Sequence, residues 1–205
     1  MPMLRRQLIC LIVFLLPYAA NAESYNFQVL LNDKPIGEHR VTVTDAGDGE
    51  KRVQGHARYQ VKILGFVVFD YDHRHQEVWQ AGCLKSLRST TYSQDKTSTL
   101  DVQHEPDALT VVQNDVSSII EHNVPNCLWS YAYWETGLQQ QTALINGQTG
   151  EITSVSFTPT KDLSTTRVQL QTAEQKLDIA YDALGRWSGL EVKLNQKRRL
   201  TYRPI

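Results

Sequence analysis

From Tyr25 onward, apolar residues recur at every second position for most of the chain, and that period leaves little room for anything but β-structure. Tyr25, Phe27, Val29 and Leu31 alternate with polar Asn26 and Gln28, which puts the apolar set on one face of a first strand. The run Asn32-Asp33-Lys34-Pro35 is turn chemistry, and residues 36–44 pair back as a second strand. The pattern continues over residues 52–62 and 66–80, which break near Gly65. It resumes over 84–92, 99–104, 109–113 and 116–122, and again over 151–158, 165–172, 177–181, 187–194 and 199–202. Short polar turns join these segments, so the spacing predicts an all-β fold, a single antiparallel meander of about a dozen strands. So many strands leave long exposed edges if the sheet is flat. The expectation is therefore a sheet strongly curved or closed into a barrel.

One segment breaks the alternation. In residues 125–146, Trp129, Tyr131, Tyr133 and Trp134 crowd together after Cys127, and Leu138-Gln139-Gln140-Gln141 follows without period. A short helical segment capped near Asn126 is the expectation here, with its aromatic residues plugging one end of the concave side of the sheet. Gly147-Gln148-Thr149-Gly150 reads as a hairpin turn rather than a phosphate-cradling loop.

The N-terminus carries a different message. Arg5 and Arg6 precede an uninterrupted apolar stretch, LICLIVFLL at residues 8–16, and then Pro17 and Ala20-Asn21-Ala22. That order is expected of a secretory signal peptide, residues 1–22, cleaved after Ala22. As a helix the stretch would span about 14 Å, too short to cross a bilayer. Cys10 lies inside the apolar stretch rather than after it, which argues against lipid attachment. The remaining residues 23–205 are expected to form one domain in the periplasm, with no transmembrane segment after cleavage. Of the chain's 21 basic residues, Arg5 and Arg6 leave with the leader and face 22 acidic ones, giving a mature balance of −3. Nothing in that balance favours nucleic acid as a partner. Removal of Cys10 leaves Cys83 and Cys127, an even pair in an oxidising compartment, and a disulfide follows as the expectation.

The sharpest chemical constellation is His73, His75 and Glu77, three ionisable side chains on one face of one strand, bracketed by Tyr71 and Trp79. A His-x-His pair on a strand suits zinc, copper or iron. The glutamate, however, follows sooner than in cupin-type barrels, and no flanking glycine pattern supports that match. His104 and His122 would supply a third ligand only if folding brought them close. The other reading is a hydrogen-bonded polar ladder on a partly wet face of the sheet. No nucleophile elbow and no dinucleotide fingerprint is present, and no cofactor is implied. The aromatic groups Tyr71, Trp79, Trp129, Tyr133 and Trp134 either line an apolar pocket or belong to the core.

Four motifs together resemble an uncharacterised family of exported bacterial all-β proteins. They are Tyr25-x-Phe27-x-Val29-x-Leu31 leading to Ile36-Gly37-x-His39, and Tyr71-x-His73-x-x-x-Glu77-x-Trp79-x-x-Gly82-Cys83-Leu84. The others are Pro125-x-Cys127 through Tyr133-Trp134, and Leu144-x-Asn146-x-x-Thr149-Gly150. A second, larger domain-of-unknown-function family of secreted β-proteins is similar more distantly. The resemblance implies export, a single all-β domain and the disulfide, and it brings no activity. Three functions stay open at this point. The first is a non-catalytic domain binding an apolar, amphipathic or lipid-like molecule. The second is a metal-dependent or acid–base enzyme using His73, His75 and Glu77. The third is an envelope assembly protein working through a surface.

Overall fold

The computed structural model describes residues 21–105, 108–121, 124–161 and 166–205. Eight strands open the chain: β1 (Ala22–Leu31), β2 (Lys34–Gly47), β3 (Glu50–Ile63), β4 (Phe66–Gln80), β5 (Cys83–Ser93), β6 (Lys96–Glu105), β7 (Ala108–Gln113) and β8 (Val116–Ile120). Each pairs antiparallel with its chain neighbours. The alternation sets the register: with one face buried, a slip of one residue would turn every core side chain outward. Six two-residue turns between described strands place both central residues at positive φ, among them Asn32-Asp33, Gln94-Asp95 and Asn114-Asp115. That is the geometry whose twist matches two paired strands, and short polar side chains tolerate it best.

After β8 the chain leaves the sheet. It crosses the concave side through a 3₁₀ turn at Thr136–Gln140 and a small separate ladder of β9 (Ala143–Ile145) with β10 (Ile152–Ser154). It then returns as β11 (Ser156–Lys161), β12 (Thr166–Gln171), β13 (Lys176–Tyr181), β14 (Trp187–Asn195) and β15 (Arg198–Pro204). Because β15 pairs with β1, the second meander extends the first into one thirteen-stranded sheet, in the order β11-β12-β13-β14-β15-β1-β2-β3-β4-β5-β6-β7-β8. Among the described residues β8 and β11 have one neighbour each, so the ladder stays open. The edge strand β11 carries Pro159, a residue that discourages further pairing.

The curvature is visible in the core. Val111 of β7 and Val168 of β12, from opposite flanks of the sheet, belong to one buried cluster with Leu128, Trp129, Ala132, Leu138, Leu144 and Ile145 of the crossing segment. The sheet therefore wraps around that segment. A smaller cluster of Val29, Ala57 and Tyr59, backed by Ile36, Phe69 and Tyr71, lies nearer the β3–β4 turn.

The crossing segment corrects one expectation. Among the described residues no helix is capped near Asn126, and the one 3₁₀ turn starts ten residues later, with Glu135 at its N-cap and no side-chain cap bond. The reason is that neighbouring strands already claim the backbone around residue 128. Leu84 N–H donates to Leu128 O at 2.9 Å, and Ile145 N–H to Trp129 O at 2.8 Å, which holds the chain extended. The expected strand over residues 151–158 also divides, into β10 and β11.

Cys83 and Cys127 form a disulfide that ties the start of the crossing segment to β5. Beside it, the His104 ring sits between the carbonyls of Leu84 and Pro125, at 3.1 and 3.0 Å. His104 is thus a structural anchor rather than a third ligand for the strand histidines, and His122 lies outside the described residues. With 44 residues of separation, the bridge is expected to contribute about 4 kcal/mol by restricting the unfolded chain. Urea unfolding of the Cys83→Ser/Cys127→Ser protein should show that loss as a lower midpoint, against the oxidised parent.

Candidate functional site

The concave face of β1 to β5 is laid out in rows by the register. One row runs Phe27, His39, Ala57, His73, Thr91; the next runs Val41, Gly55, His75, Ser89; a third pairs Tyr59 with Tyr71. Small residues stand between large polar ones. A Cβ on Gly55 would overlap the imidazole of His75, so the histidine occupies the space that a side chain on β3 would take. Ala57 similarly separates His39 from His73. Without these gaps three imidazoles would not fit on one curved face.

A cavity of about 500 Å³ opens over these rows. Its walls include Val41, Leu177, Trp187, Leu190 and Val192 as well as Tyr59, Tyr71 and Leu200, so it draws on both hydrophobic clusters. Its polar lining includes His39, His73, His75, Glu77 and Ser130, with Gln148 and Glu151 entering from the β9–β10 side. Gln148 Nε2 donates to Tyr71 Oη at 3.0 Å, joining that turn to β4. Tyr59 stacks on Tyr71 with ring centres 5.2 Å apart, and its hydroxyl meets that of Tyr202 at 2.6 Å.

Burial governs the charges. It lowers the pKa of His73 and of His75 to about 4 and that of His39 to about 3, so all three rings are neutral at pH 7. The same burial raises Glu77 to about 7, against the pull of donors on its Oε2 from Trp79 Nε1 at 2.7 Å and Ser130 Oγ at 3.1 Å. His75 Nε2 lies 4.0 Å from Glu77 Oε1; with His75 neutral the two are near neighbours and not an ion pair. His73 Nδ1 engages Thr91 Oγ1 at 2.8 Å. His39 has no such partner: both ring nitrogens are sealed from solvent and unbonded. Leaving a buried polar group unsatisfied costs roughly 1–3 kcal/mol, which marks His39 as the strained member of the set.

Of the candidate residues named from the sequence, Tyr71, His73, His75, Glu77, Tyr133 and Trp134 line the cavity. Trp79 and Trp129 lie beneath it as core, edge to face at 5.3 Å. No three His, Cys, Asp or Glu side chains among the described residues converge as a metal ion would need. The structure adds His39, Tyr59 and Tyr202, each on the inward parity of its own strand, so the alternation that located His73 pointed to them as well. It also adds Trp187, which an irregularity in the β13–β14 pairing turns inward out of step with Leu190 and Val192. Ser130 and Gln148 lie in irregular segments with no period to reveal them.

The fold and site together define a class: a strongly curved, open antiparallel sheet wrapped around an internal segment, with a polar-and-aromatic cavity on its concave face. Residues 27–205 match the family model described as Domain of unknown function (DUF6134), and the chain belongs to that family. Its fold is similar to the crystal structure of a β-barrel-like protein of the DUF1849 domain of unknown function from Brucella abortus. That match has a TM-score of 0.58 at 8% identity and covers 89% of this chain and 94% of that one. Comparison with curated proteins gives no match.

The buried titrations have opposite signs. His39, His73 and His75, lowered from 6.5, contribute stability above pH 6.5 that is lost as pH falls toward 4. Glu77, raised from 4.5 to about 7, contributes stability below pH 4.5 that is lost as pH rises through 7. Three groups outweigh one. Chemical denaturation between pH 7 and 4 should therefore show falling stability, and Glu77→Gln, which removes the opposing contribution, should steepen the fall.

Proposed function

We propose that this protein is an exported, periplasmic domain that holds an amphipathic small molecule, with a lipid-like apolar part, in the cavity on its concave face and does not transform it. The cavity carries this reading. Its volume suits a small organic ligand, its aromatic and aliphatic walls suit an apolar body, and its ionisable row offers uncharged donors and acceptors to a polar end. His73, with Nδ1 held by Thr91 Oγ1, presents the rest of its imidazole to such a ligand on the cavity wall. Export rests on the leader at residues 1–22, and N-terminal sequencing of protein from the periplasmic fraction should begin at Glu23; intact leader on cytosolic protein would sink that part.

The ligand is tested by native mass spectrometry and solvent extraction of protein purified from its own host. A co-purifying amphipathic molecule is expected. His73→Leu, which removes a polar group from the cavity wall, should lose it, whereas His39→Leu should keep or gain thermal stability, because it removes an unsatisfied polar group. Ligand-free protein in repeated preparations would remove the reading.

Acid–base chemistry is the second reading, and the observation favouring it is Glu77, raised to about 7 and lining the cavity beside His75. A carboxyl poised near neutral pH suits proton transfer. It would require Glu77→Gln to keep the bound molecule yet stop its turnover.

A further inference from the structure

We propose that the tip of the β3–β4 hairpin inserts into the interfacial region of a bilayer containing anionic phospholipid. Beyond Tyr59 and Tyr71 these two strands lose their outer neighbours and pair only with each other, ending in Ile63 opposite Phe66. The free ribbon reaches about 13 Å past the last shared row. Its end is apolar and open to solvent: Ile63 is 58% exposed, Leu64 92%, Phe66 76%, and Val67 and Val68 49% each. No charged residue falls between Lys62 and Asp70.

The turn itself departs from its neighbours. On the same rim of the sheet, Asn32-Asp33, Gln94-Asp95 and Asn114-Asp115 fill the left-handed turn positions with polar residues, as the backbone prefers. The β3–β4 turn places Leu64 there, at φ 50°, a conformation that a bulky apolar residue adopts only at a cost. An exposed leucine in an unfavourable backbone position gains nothing within this chain. Its gain must come from outside.

Two features select a bilayer over a protein groove. Phe66 and Val67 are adjacent on one strand, in regular register ahead of the irregularity at Val68, and so point to opposite faces, which leaves apolar side chains on both faces of the ribbon. A protein groove covers one face, whereas lipid surrounds both. The rim also carries exposed Lys34, Lys62, Lys96, Lys197 and Arg198, none in an ion pair among the described residues. They outnumber the acids without an ion pair on that rim, Asp70, Asp95, Asp115 and Glu174, while Asp33 there is paired with Arg199, although the chain as a whole is weakly acidic. Cations around an apolar tip complement an anionic lipid surface. The inference does not require the cavity to hold a ligand.

Sedimentation of the chain from Glu23 onward with vesicles tests it, using phosphatidylcholine alone and phosphatidylcholine with phosphatidylglycerol. Binding to the mixed vesicles is expected, weakening with added salt. Leu64→Asp and Phe66→Asp should each weaken it roughly tenfold or more, since each removes a large apolar group from the lipid. Both sites are exposed, so their urea midpoints should match the parent's. Leu184→Asp, which changes an exposed leucine (78%) in the β13–β14 turn at the opposite rim, should bind like the parent. Three results would each overturn the proposal: no binding to either vesicle, binding unchanged by the tip substitutions, or equal loss in Leu184→Asp. The first would leave a protein partner as the occupant of the tip. Vesicle binding and ligand retention are read separately, so either can fail without the other.

Discussion

An open sheet of thirteen strands cannot keep its curvature through hydrogen bonds alone, because its two edge strands do not pair with each other among the described residues. What holds the shape is the segment from Cys127 to Ile145 lying against its concave side. The segment enters the core through Leu128, Trp129, Ala132 and Leu138, which are buried against strands from both flanks. Its first residues are tied to β5 by a covalent bridge, a backbone bond and the His104 ring. Apolar burial drives the wrapping, and the bridge sets where it starts.

The cavity is a consequence of that arrangement. The segment fills one part of the concave face and leaves the part over His39, His73 and His75 unfilled, between the main core and the cluster at the foot of the β3–β4 hairpin. Burial there keeps the imidazoles neutral and lifts Glu77 toward neutrality, so the face is polar in chemistry but nearly uncharged. Such a surface does not repel apolar matter as an ionised one does. The same gap leaves His39 without a partner, a local conflict of the kind that concentrates where proteins function.

Much of the strand pattern was legible because period two is a local property: a strand with one buried face must alternate, whatever lies on the far side of it. That logic found β1 to β8 and the face shared by Tyr71, His73, His75 and Glu77. It failed over residues 125–146, where tertiary hydrogen bonds to Leu128 and Trp129 override local preference and no period exists to read. It also could not separate Trp79, which is core, from Tyr71, His73, His75 and Glu77 on the same strand, which line the cavity. Inward parity is common to all strand residues on the concave face, and only depth divides them.

The sequence by itself determined the class of fold, the inward face of most strands, the turns and the single pair of cysteines outside the apolar N-terminal stretch, because each depends on residues close together in the chain or on their count. The tertiary structure decided the rest. It joined β15 to β1 so that two meanders became one sheet, left that sheet open, and brought His39 and Tyr202 into the same cavity as His73. It also left the β3–β4 tip projecting beyond its neighbours. These outcomes depend on which distant strands meet and in what register, and contacts of that range leave no local signature in the order of the residues.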